Sequence, residues 1–243
     1  AIAAMTLGTS SIPRVYKIFG PGNQFVTAAK QWATKFQVAI DLPAGPSELL
    51  VAADATSNPN YVAADLLSQA EHGPDSQVVL VSTSSSLIDA VLKAIDVQLE
   101  QLPRKEIATK ALENSKAILV ASDAAAIDLI NAYAPEHYII MTENEQDYVD
   151  GVQNAGSVFI GAYTPESAGD YASGTNHTLP TNGNAKQYSG VNLDSFLKTI
   201  TFQKISKEGL LNISKTVETM ADAEGLQAHK NAVSIRLKQL QNE

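Results

Sequence analysis

The four histidines are the side chains of this sequence best suited to acid–base or metal chemistry, and two of them have a polar partner close by. His72 closes a predicted helix three residues after Gln69, a spacing that puts an amide and an imidazole on one helix face. His137 directly follows Glu136, and an adjacent carboxylate and imidazole suit proton transfer near neutral pH. On the residues alone, a helix cap at His72 and a solvated turn at Glu136 and His137 are the alternatives.

Further polar groups lie in turn-rich segments. Asp170 and His177 stand in a stretch where polar residues flank glycines, which is common in binding sites and also in plain turns. The Gly-Pro-Gly-Asn segment 20–23 precedes a helical pattern, and backbone N–H groups at a helix start can bind an anion or a phosphate. Ser47 presents a hydroxyl between two predicted strands. His229 starts the last predicted helix, where a surface role is the alternative.

Composition excludes several classes of protein. The 243 residues contain no cysteine, so a metal site must use histidine, carboxylate or amide ligands, and a disulfide or a cysteine nucleophile is not available. The formal net charge of −9 argues against a general nucleic-acid binder, because neutralising phosphates needs clustered lysine and arginine. No apolar run approaches the roughly 18 residues of a membrane span. We expect a protein of the cytoplasm that binds neither nucleic acid nor a membrane.

Apolar, β-branched runs alternate with helical patterns along the first two thirds of the chain. The predicted strands are Val38–Leu42, Leu49–Ala53, Val78–Ser82, Ala117–Ala121, Tyr138–Met141 and Ser157–Ile160. The predicted helices between them are Tyr61–Glu71, Ser86–Leu102, Lys105–Asn114, Ala124–Tyr133 and Gln146–Asn154. Strands that are apolar throughout and alternate with helices indicate a parallel sheet covered on both faces. The sequence therefore predicts an α/β fold.

The last third of the chain has a different character. Residues 161–192 show no clear periodicity, which predicts a long loop. A loop of this length inside a compact protein is usually either functional or a misassigned segment that contains regular structure. The pattern of Leu193–Ser206 predicts a short helix and a strand. Helical patterns follow at Lys207–Ala223 and His229–Gln241. These last helices either pack on their own sheet or reach a second subunit, and periodicity does not choose between the two.

Taken together, these segments resemble histidinol dehydrogenase over essentially the whole chain. The resemblance is carried by Lys-Ile-Phe-Gly-Pro-Gly-Asn at 17–23, Ile-Asp-Leu-Pro-Ala-Gly-Pro-Ser-Glu at 40–48, Asp-Leu-Leu-Ser-Gln-Ala-Glu-His at 65–72, Pro-Glu-His at 135–137, Pro-Glu-Ser-Ala-Gly-Asp-Tyr-Ala-Ser-Gly-Thr-Asn-His at 165–177, Leu-Pro-Thr at 179–181, and Glu224 with His-Lys-Asn at 229–231. The segments occur in the family's order and at near-family spacings.

The resemblance implies an enzyme that oxidises L-histidinol to L-histidine through an aldehyde, in two NAD-dependent steps that end histidine biosynthesis. Carried over residue by residue, it implies a zinc site made by Gln69, His72, Asp170 and His229. It implies Glu136 and His137 as the general bases. In this scheme L-histidinol contacts the zinc ligands, His137, Ser47 and Glu224, while NAD contacts Asn23. His177 lies in a family motif without an assigned role.

The resemblance also implies a domain plan. Family members extend well before the point where this chain begins, and the chain opens in a helical pattern without an initiator methionine, so we expect that preceding residues are missing. Residues 1–43 correspond to the end of an NAD-binding domain, 44–192 to the second half of the α/β catalytic domain with incomplete Rossmann-like units, and 193–243 to a helical dimerisation tail. Family homodimers share each site between subunits. The alternative is a catalytically silent fragment that binds zinc or ligand and dimerises.

Overall fold

The strands are parallel and mostly apolar, and they form two sheets in the computed structural model, which describes residues 1–242. In chain order they are β1 Lys17–Ile18, β2 Ala39–Ile40, β3 Glu48–Ala53, β4 Gln77–Ser82, β5 Lys116–Leu119, β6 His137–Met141 and β7 Ser157–Ile160. The first two pair with each other in a small sheet. The other five form the main sheet in the order β5-β4-β3-β6-β7.

Helices connect the strands and continue to the end of the described chain. They are α1 Ile2–Leu7, α2 Gln24–Thr34, α3 Pro59–Ala70, α4 Ser85–Leu99, α5 Lys105–Glu113, α6 Asp123–Tyr133, α7 Glu145–Asp150, α8 Glu166–Tyr171, α9 Lys207–Ala223 and α10 Gln227–Gln241. Short 3₁₀ turns occur at Asn184–Lys186 and Leu193–Phe196. The predicted α/β class with a parallel sheet is confirmed.

The central strand β3 is buried over its whole length because helices cover both faces of the main sheet. Leu49 and Val51 point into a core shared with α3, α4 and α5. Leu50 and Ala52 alternate with them and point into a second core that includes α6 and α7. This alternation is the two-residue period of a strand, and it explains why a two-sided strand reads as one continuous apolar run.

Three sequence predictions of local structure are wrong. The segment 161–192 is not loop throughout, because α8 and a 3₁₀ turn lie within it. The strand expected within Leu193–Ser206 does not form, and Phe202 there is 91% exposed because no described strand pairs with this segment. The helix predicted at Gln146–Asn154 ends at Asp150.

A buried ion pair ties the small sheet to helix α2. Lys30 on α2 contacts Asp41, and the two side chains are 2% and 0% exposed. Lys30 Nζ also donates to the Gly20 carbonyl at 2.8 Å, while the Gly20 N–H donates to Asp41 at 2.7 Å. These contacts satisfy charges that would be costly to bury alone. They also fix the backbone at the start of the 20–23 segment.

The chain divides by its contacts into two units, Ala1–Phe196 and a second that begins at Leu197. The second unit consists of helices α9 and α10 with the segment before them. Among the described residues, no helix combines the length and the apolar character needed to cross a membrane. The domain boundaries expected from the family resemblance, 1–43, 44–192 and 193–243, stay a prediction.

We expect Lys30→Met to lower the free energy of unfolding by about 3–5 kcal/mol, because it leaves the Asp41 carboxylate buried without a counter-charge. Urea unfolding followed by fluorescence of the single tryptophan, Trp32 on the same helix, measures the loss. The double variant Lys30→Met/Asp41→Leu removes both charges and is expected to recover part of it.

The exposed pair Lys105–Glu100 provides the matched control. Lys105→Met is expected to change the free energy of unfolding by less than about 1 kcal/mol, because exposed ion pairs contribute little. Equal losses at Lys30 and Lys105 would contradict a structural role for the buried pair.

Candidate active site

The backbone of Glu48 holds the two predicted bases in place. Its N–H donates to Glu136 Oε2 at 2.8 Å, and its carbonyl accepts from His137 Nδ1 at 3.1 Å. Strand pairing produces this arrangement, since β3 and β6 align Leu49 with His137. Because a carbonyl oxygen only accepts hydrogen bonds, Nδ1 carries the ring proton. The Nε2 atom of the neutral imidazole therefore keeps its lone pair.

His137 Nε2 is buried and has no hydrogen-bond partner within residues 1–242. A buried polar atom without a partner costs free energy, and native proteins contain few of them. His137 also borders a cleft of about 340 Å³, and the whole residue is only 4% exposed. An unpartnered lone pair at the wall of a cleft is chemically able to take a proton from a molecule bound there.

A strained turn directly precedes Glu136 and His137. Helix α6 ends at Ala134, which takes a left-handed conformation with φ 58° and ψ 65°. Such a conformation costs a non-glycine residue on the order of 1–3 kcal/mol, and strained residues cluster at functional sites. Pro135 follows and prevents the helix from continuing. Glu136 and His137 therefore stand at the start of β6, as predicted for a junction of helix and strand.

The cleft lies where three loops meet. Its lining residues are Pro21, Gly22, Ala44, Gly45, Ser47, His72, Glu136, His137, Asp170, His177 and Leu179. Gly45 has φ +101°, and a Cβ there would stand 2.0 Å from the Gly22 carbonyl oxygen, so only glycine allows the two loops to approach. The Gly45 N–H donates to Thr181 Oγ1 at 2.8 Å, which joins the third loop.

Most of the predicted catalytic and substrate-binding residues share this cleft. Ser47 precedes β3, His72 lies between α3 and β4, and Glu136 and His137 begin β6. All of these positions are at the amino ends of parallel strands. Ligands of open α/β sheets usually bind at the carboxyl ends, so the cleft uses the less common edge of the sheet.

A cluster of possible metal ligands borders the cleft. One ligand atom each from His72, Glu166 and Asp170 lies within 4.8 Å of the others. Gln69, on the last turn of α3, is fully buried, and its side-chain amide lies against Glu166. With the amide nitrogen turned toward Glu166, the donor distances to the two carboxyl oxygens are 3.1 and 2.5 Å. Imidazole, carboxylate and amide donors without thiolate fit a zinc ion.

Burial and crowded negative charge perturb the acids of the site. Burial raises the pKa of Glu136 well above its usual range, and the carboxylates of Glu48, Glu166 and Asp170 raise it further, although the Glu48 N–H opposes the shift. Burial, with the charge of Asp170, raises the pKa of Glu166 to about 8. Burial lowers the pKa of His137. His137 is therefore the neutral imidazole that a general base requires near neutral pH.

The remaining predicted residues lie outside the cleft lining. Asn23 caps helix α2, and its side-chain oxygen accepts from the N–H groups of Phe25 and Val26 at 3.1 and 3.2 Å. Asn23 is exposed, and its amide nitrogen has no partner within the described part of the chain. Glu224 ends α9 and His229 lies in the first turn of α10, and both are exposed residues of the second unit.

Two residues of the site were missed by the sequence analysis. Glu166 stands four residues before Asp170, a spacing that puts both on one helix face. The loop-like composition of the segment concealed this helical spacing. Glu48 contributes its main-chain N–H and carbonyl groups. Because nearly every residue has both groups, the residue type at this position does not reveal that role. His177, which had no assigned role, is exposed and lines the cleft.

Comparison with known protein families and curated relatives gives one consistent result. The family model described as Histidinol dehydrogenase matches residues 1–237. A relative named histidinol dehydrogenase, from Bacteroides thetaiotaomicron, is 62% identical over 99% of this chain and 56% of its own length. A relative from Arabidopsis thaliana, named histidinol dehydrogenase, chloroplastic, is 56% identical over 99% of this chain and 52% of its own length. The chain thus spans about half the length of these relatives.

Solved structures agree with this result. The crystal structure of histidinol dehydrogenase from Elizabethkingia anophelis matches with a TM-score of 0.95 and 60% identity, over 99% of this chain and 55% of that one. Gamma-glutamyl phosphate reductase from Thermotoga maritima matches with a TM-score of 0.50 and 13% identity, over 84% of this chain and 56% of that one. The second match indicates a shared fold alone.

The raised pKa of Glu136 leads to a prediction about stability and pH in the metal-free protein. A carboxyl whose pKa is higher in the folded than in the unfolded state stabilises the fold fully below its unfolded value, near 4.5. That stabilisation is lost as pH rises through the folded pKa. We expect Glu136→Gln to reduce the fall in the free energy of unfolding above pH 4.5, as measured by urea unfolding at a series of pH values.

The exposed Glu113→Gln on α5 serves as the matched control for the loss of one carboxyl group. A Glu136→Gln protein whose stability falls with pH as steeply as that of the unsubstituted protein would contradict the raised pKa.

Proposed function

Because the chain belongs to the histidinol dehydrogenase family, we propose that it oxidises L-histidinol to L-histidine through the aldehyde, with two molecules of NAD, as the last steps of histidine biosynthesis. The observation that carries this proposal is the cleft where the unpartnered Nε2 of His137 stands beside Glu136 and the donor groups of His72 and Asp170. The chain spans 56% of its Bacteroides relative, so the activity of a whole protein is part of the proposal.

The residues that would hold zinc are Gln69, His72, Asp170 and His229. Their chemistry fits, because the set offers two imidazoles, a carboxylate and an amide. A bound zinc ion would supply a Lewis-acidic centre that orients the imidazole and amine of L-histidinol. Ser47 and Glu224 complete the substrate contacts in this proposal, with the Glu224 carboxylate facing the ammonium group.

His137 serves as the base of the first oxidation. Its Nδ1–H is fixed on the Glu48 carbonyl at 3.1 Å, so Nε2 takes the proton from the alcohol oxygen as a hydride leaves the carbon that bears that oxygen. NAD, when bound, accepts this hydride, and Asn23 is the residue of this chain that would contact it. The products of the step are the aldehyde, the protonated imidazole and the reduced cofactor.

Glu136 serves the second oxidation. Its ionised carboxylate removes a proton from water as the water oxygen bonds to the aldehyde carbon. The aldehyde oxygen takes a proton from the protonated His137 imidazole, which produces the hydrated aldehyde and returns His137 to its neutral form. Loss of a second hydride to NAD and of a proton to His137 then gives the carboxylic acid of L-histidine, which ionises to the carboxylate by losing a further proton to water. The buried position that raises the pKa of Glu136 also makes its ionised form a stronger base than an exposed glutamate.

We extend the proposal to a homodimer in which Glu224 and His229 reach the site of the neighbouring subunit. Exposed apolar side chains on the helices that carry these residues support it, among them Met220 at 60% and Ile235 at 57% exposure. The silent-fragment alternative is not favoured, because relatives that cover 99% of the chain carry the enzyme's name. A cytoplasmic location stays a prediction, since the Arabidopsis relative is named chloroplastic.

Separate bases for the two oxidations predict separable defects. We expect His137→Asn to lower kcat by roughly 10²- to 10⁴-fold, the usual contribution of a general base. We expect Glu136→Gln to form the aldehyde but to hydrate it slowly, so that NADH produced per histidinol consumed falls from two toward one. NADH absorbance together with chromatography of the aldehyde and L-histidine measures both effects.

This assay uses the 243-residue chain and the same chain joined to the part of the Bacteroides relative that it does not match. Glu113→Gln is the control variant. Glu136→Gln that yields two NADH per histidinol at the unsubstituted rate would remove the role of Glu136, and absence of turnover in the joined protein would remove the proposed activity.

The metal assignment predicts which histidines retain zinc. We expect His72→Ala and His229→Ala to lose zinc on dialysis against a weak chelator, as measured by elemental analysis, because each removes a ligand. His177→Ala is the matched control and should keep its zinc, although His177 lines the same cleft.

If His229 comes from the neighbouring subunit, zinc retention should also fall when the protein is diluted below the concentration at which it dimerises. Equal zinc content in His72→Ala and the unsubstituted protein would contradict the proposed ligand set.

A further inference from the structure

Glu166 is a buried acid of the site to which the proposed reaction gives no role. It lies on α8 and is 2% exposed. Its neighbours His137 and Gln69 both have roles in the proposed function. One of its oxygens is 3.7 Å from His137 Nδ1, and the Gln69 amide lies against both of its oxygens, to which the amide nitrogen donates when it is turned toward them. A carboxylate buried to this degree needs a defined partner, and Gln69 is the partner in closest contact.

The contact has a chemical consequence for Gln69. A side-chain amide offers one donor group and one acceptor oxygen on opposite sides of its carbonyl carbon. When the nitrogen is the atom turned toward Glu166, at 3.1 and 2.5 Å from its two oxygens, the amide oxygen is turned away from that carboxyl group. Donation to the carboxyl group of Glu166 also shifts electron density toward the amide oxygen, just as carboxylates that accept from ligating histidines strengthen those ligands.

An amide oxygen is otherwise a weak ligand for a divalent cation compared with imidazole or carboxylate. Gln69 is also fully buried, so its amide can take either orientation only if its neighbours satisfy it. Glu166 and Asp170 both lie on α8, and each has an oxygen within 4.8 Å of a His72 ligand atom. Glu166 is thus placed to select the orientation of the amide beside the cation site.

We propose that Glu166 is a positioning residue that orients and polarises the Gln69 amide so that its oxygen binds a divalent metal ion. The proposal rests on the proposed function in one respect, that Gln69 is a metal ligand. Glu166 itself acts through Gln69, and the ion is bound by the other side chains of the cluster.

The test is a double-mutant cycle on the purified 243-residue protein. Zinc affinity is measured by competition with a chromophoric chelator for the unsubstituted protein, Glu166→Gln, Gln69→Ala and the double variant. We expect Glu166→Gln to weaken zinc binding by roughly 10- to 100-fold, the usual effect of removing a group that orients a ligand. In the Gln69→Ala background the same change should weaken zinc binding by less than about 2-fold, because coupled sites are not additive.

Cobalt provides a second measurement that a general loss of packing would not reproduce. The visible spectrum of bound Co²⁺ depends on ligand number and geometry, so Glu166→Gln and Gln69→Ala should shift it in the same direction. The reciprocal exchange Gln69→Glu/Glu166→Gln restores a hydrogen-bonded amide and carboxylate with their roles reversed. We expect this exchange to recover affinity relative to Glu166→Gln alone.

The outcomes separate this inference from the proposed function. Equal zinc affinity in the unsubstituted protein and His72→Ala would refute the metal site itself. A metal site that depends on His72 but is unaffected by Glu166→Gln would overturn the positioning role alone. The same loss of affinity in both Gln69 backgrounds would also overturn it, because Glu166 would then bind the ion independently of Gln69.

Discussion

The site depends on the main-chain N–H and carbonyl groups of one residue, which position two side chains. Glu48 contributes its N–H to the Glu136 carboxylate and its carbonyl to the His137 imidazole, and these contacts fix the position of the first group and the tautomer of the second. They exist because β3 and β6 pair in parallel with one register. A shift of one residue would turn every side chain of the strand to the opposite face. The apolar cores on both faces of the sheet, which fix that register, therefore also fix the chemistry at its edge.

Several acidic side chains are buried around Glu48. Burial raises the pKa values of Glu48, Glu136 and Glu166, and that of Asp65 rises to about 6 for the same reason. Several carboxyl groups in a region poor in solvent cannot all ionise without a counter-charge. Protons supply it in the free protein, and a divalent cation held by His72 and Asp170 would supply it in the proposed enzyme. The acidity of the site and its proposed metal are thus two aspects of one electrostatic constraint.

The sequence predicts correctly those strands and site residues that are recognisable from residue type alone. Strands β3, β4 and β6 were predicted nearly to their ends because they are buried apolar runs, and Glu136, His137 and His72 were selected because of their chemistry. Helix α8 was missed because its composition is that of a loop, and Glu166 was missed with it. The two-residue strand β1 is too short to show a period, whereas β2 lies within the predicted strand Val38–Leu42. The contacts of the Glu48 backbone depend on pairing across the sheet, which no local pattern reveals.

The separation along the chain of the groups that meet at Glu48 has a consequence for the order in which the molecule forms. Its N–H bond to Glu136 joins residues 88 positions apart, and its carboxylate accepts from the Asn182 N–H across 134 positions. Contacts of such long range come late in folding, because chain entropy must be lost before they stabilise anything. Helices and neighbouring strands can therefore be in place while the cleft is still open. A partly folded chain would have native secondary structure without an assembled site, and exposure of His137 would report folding more faithfully than helix content.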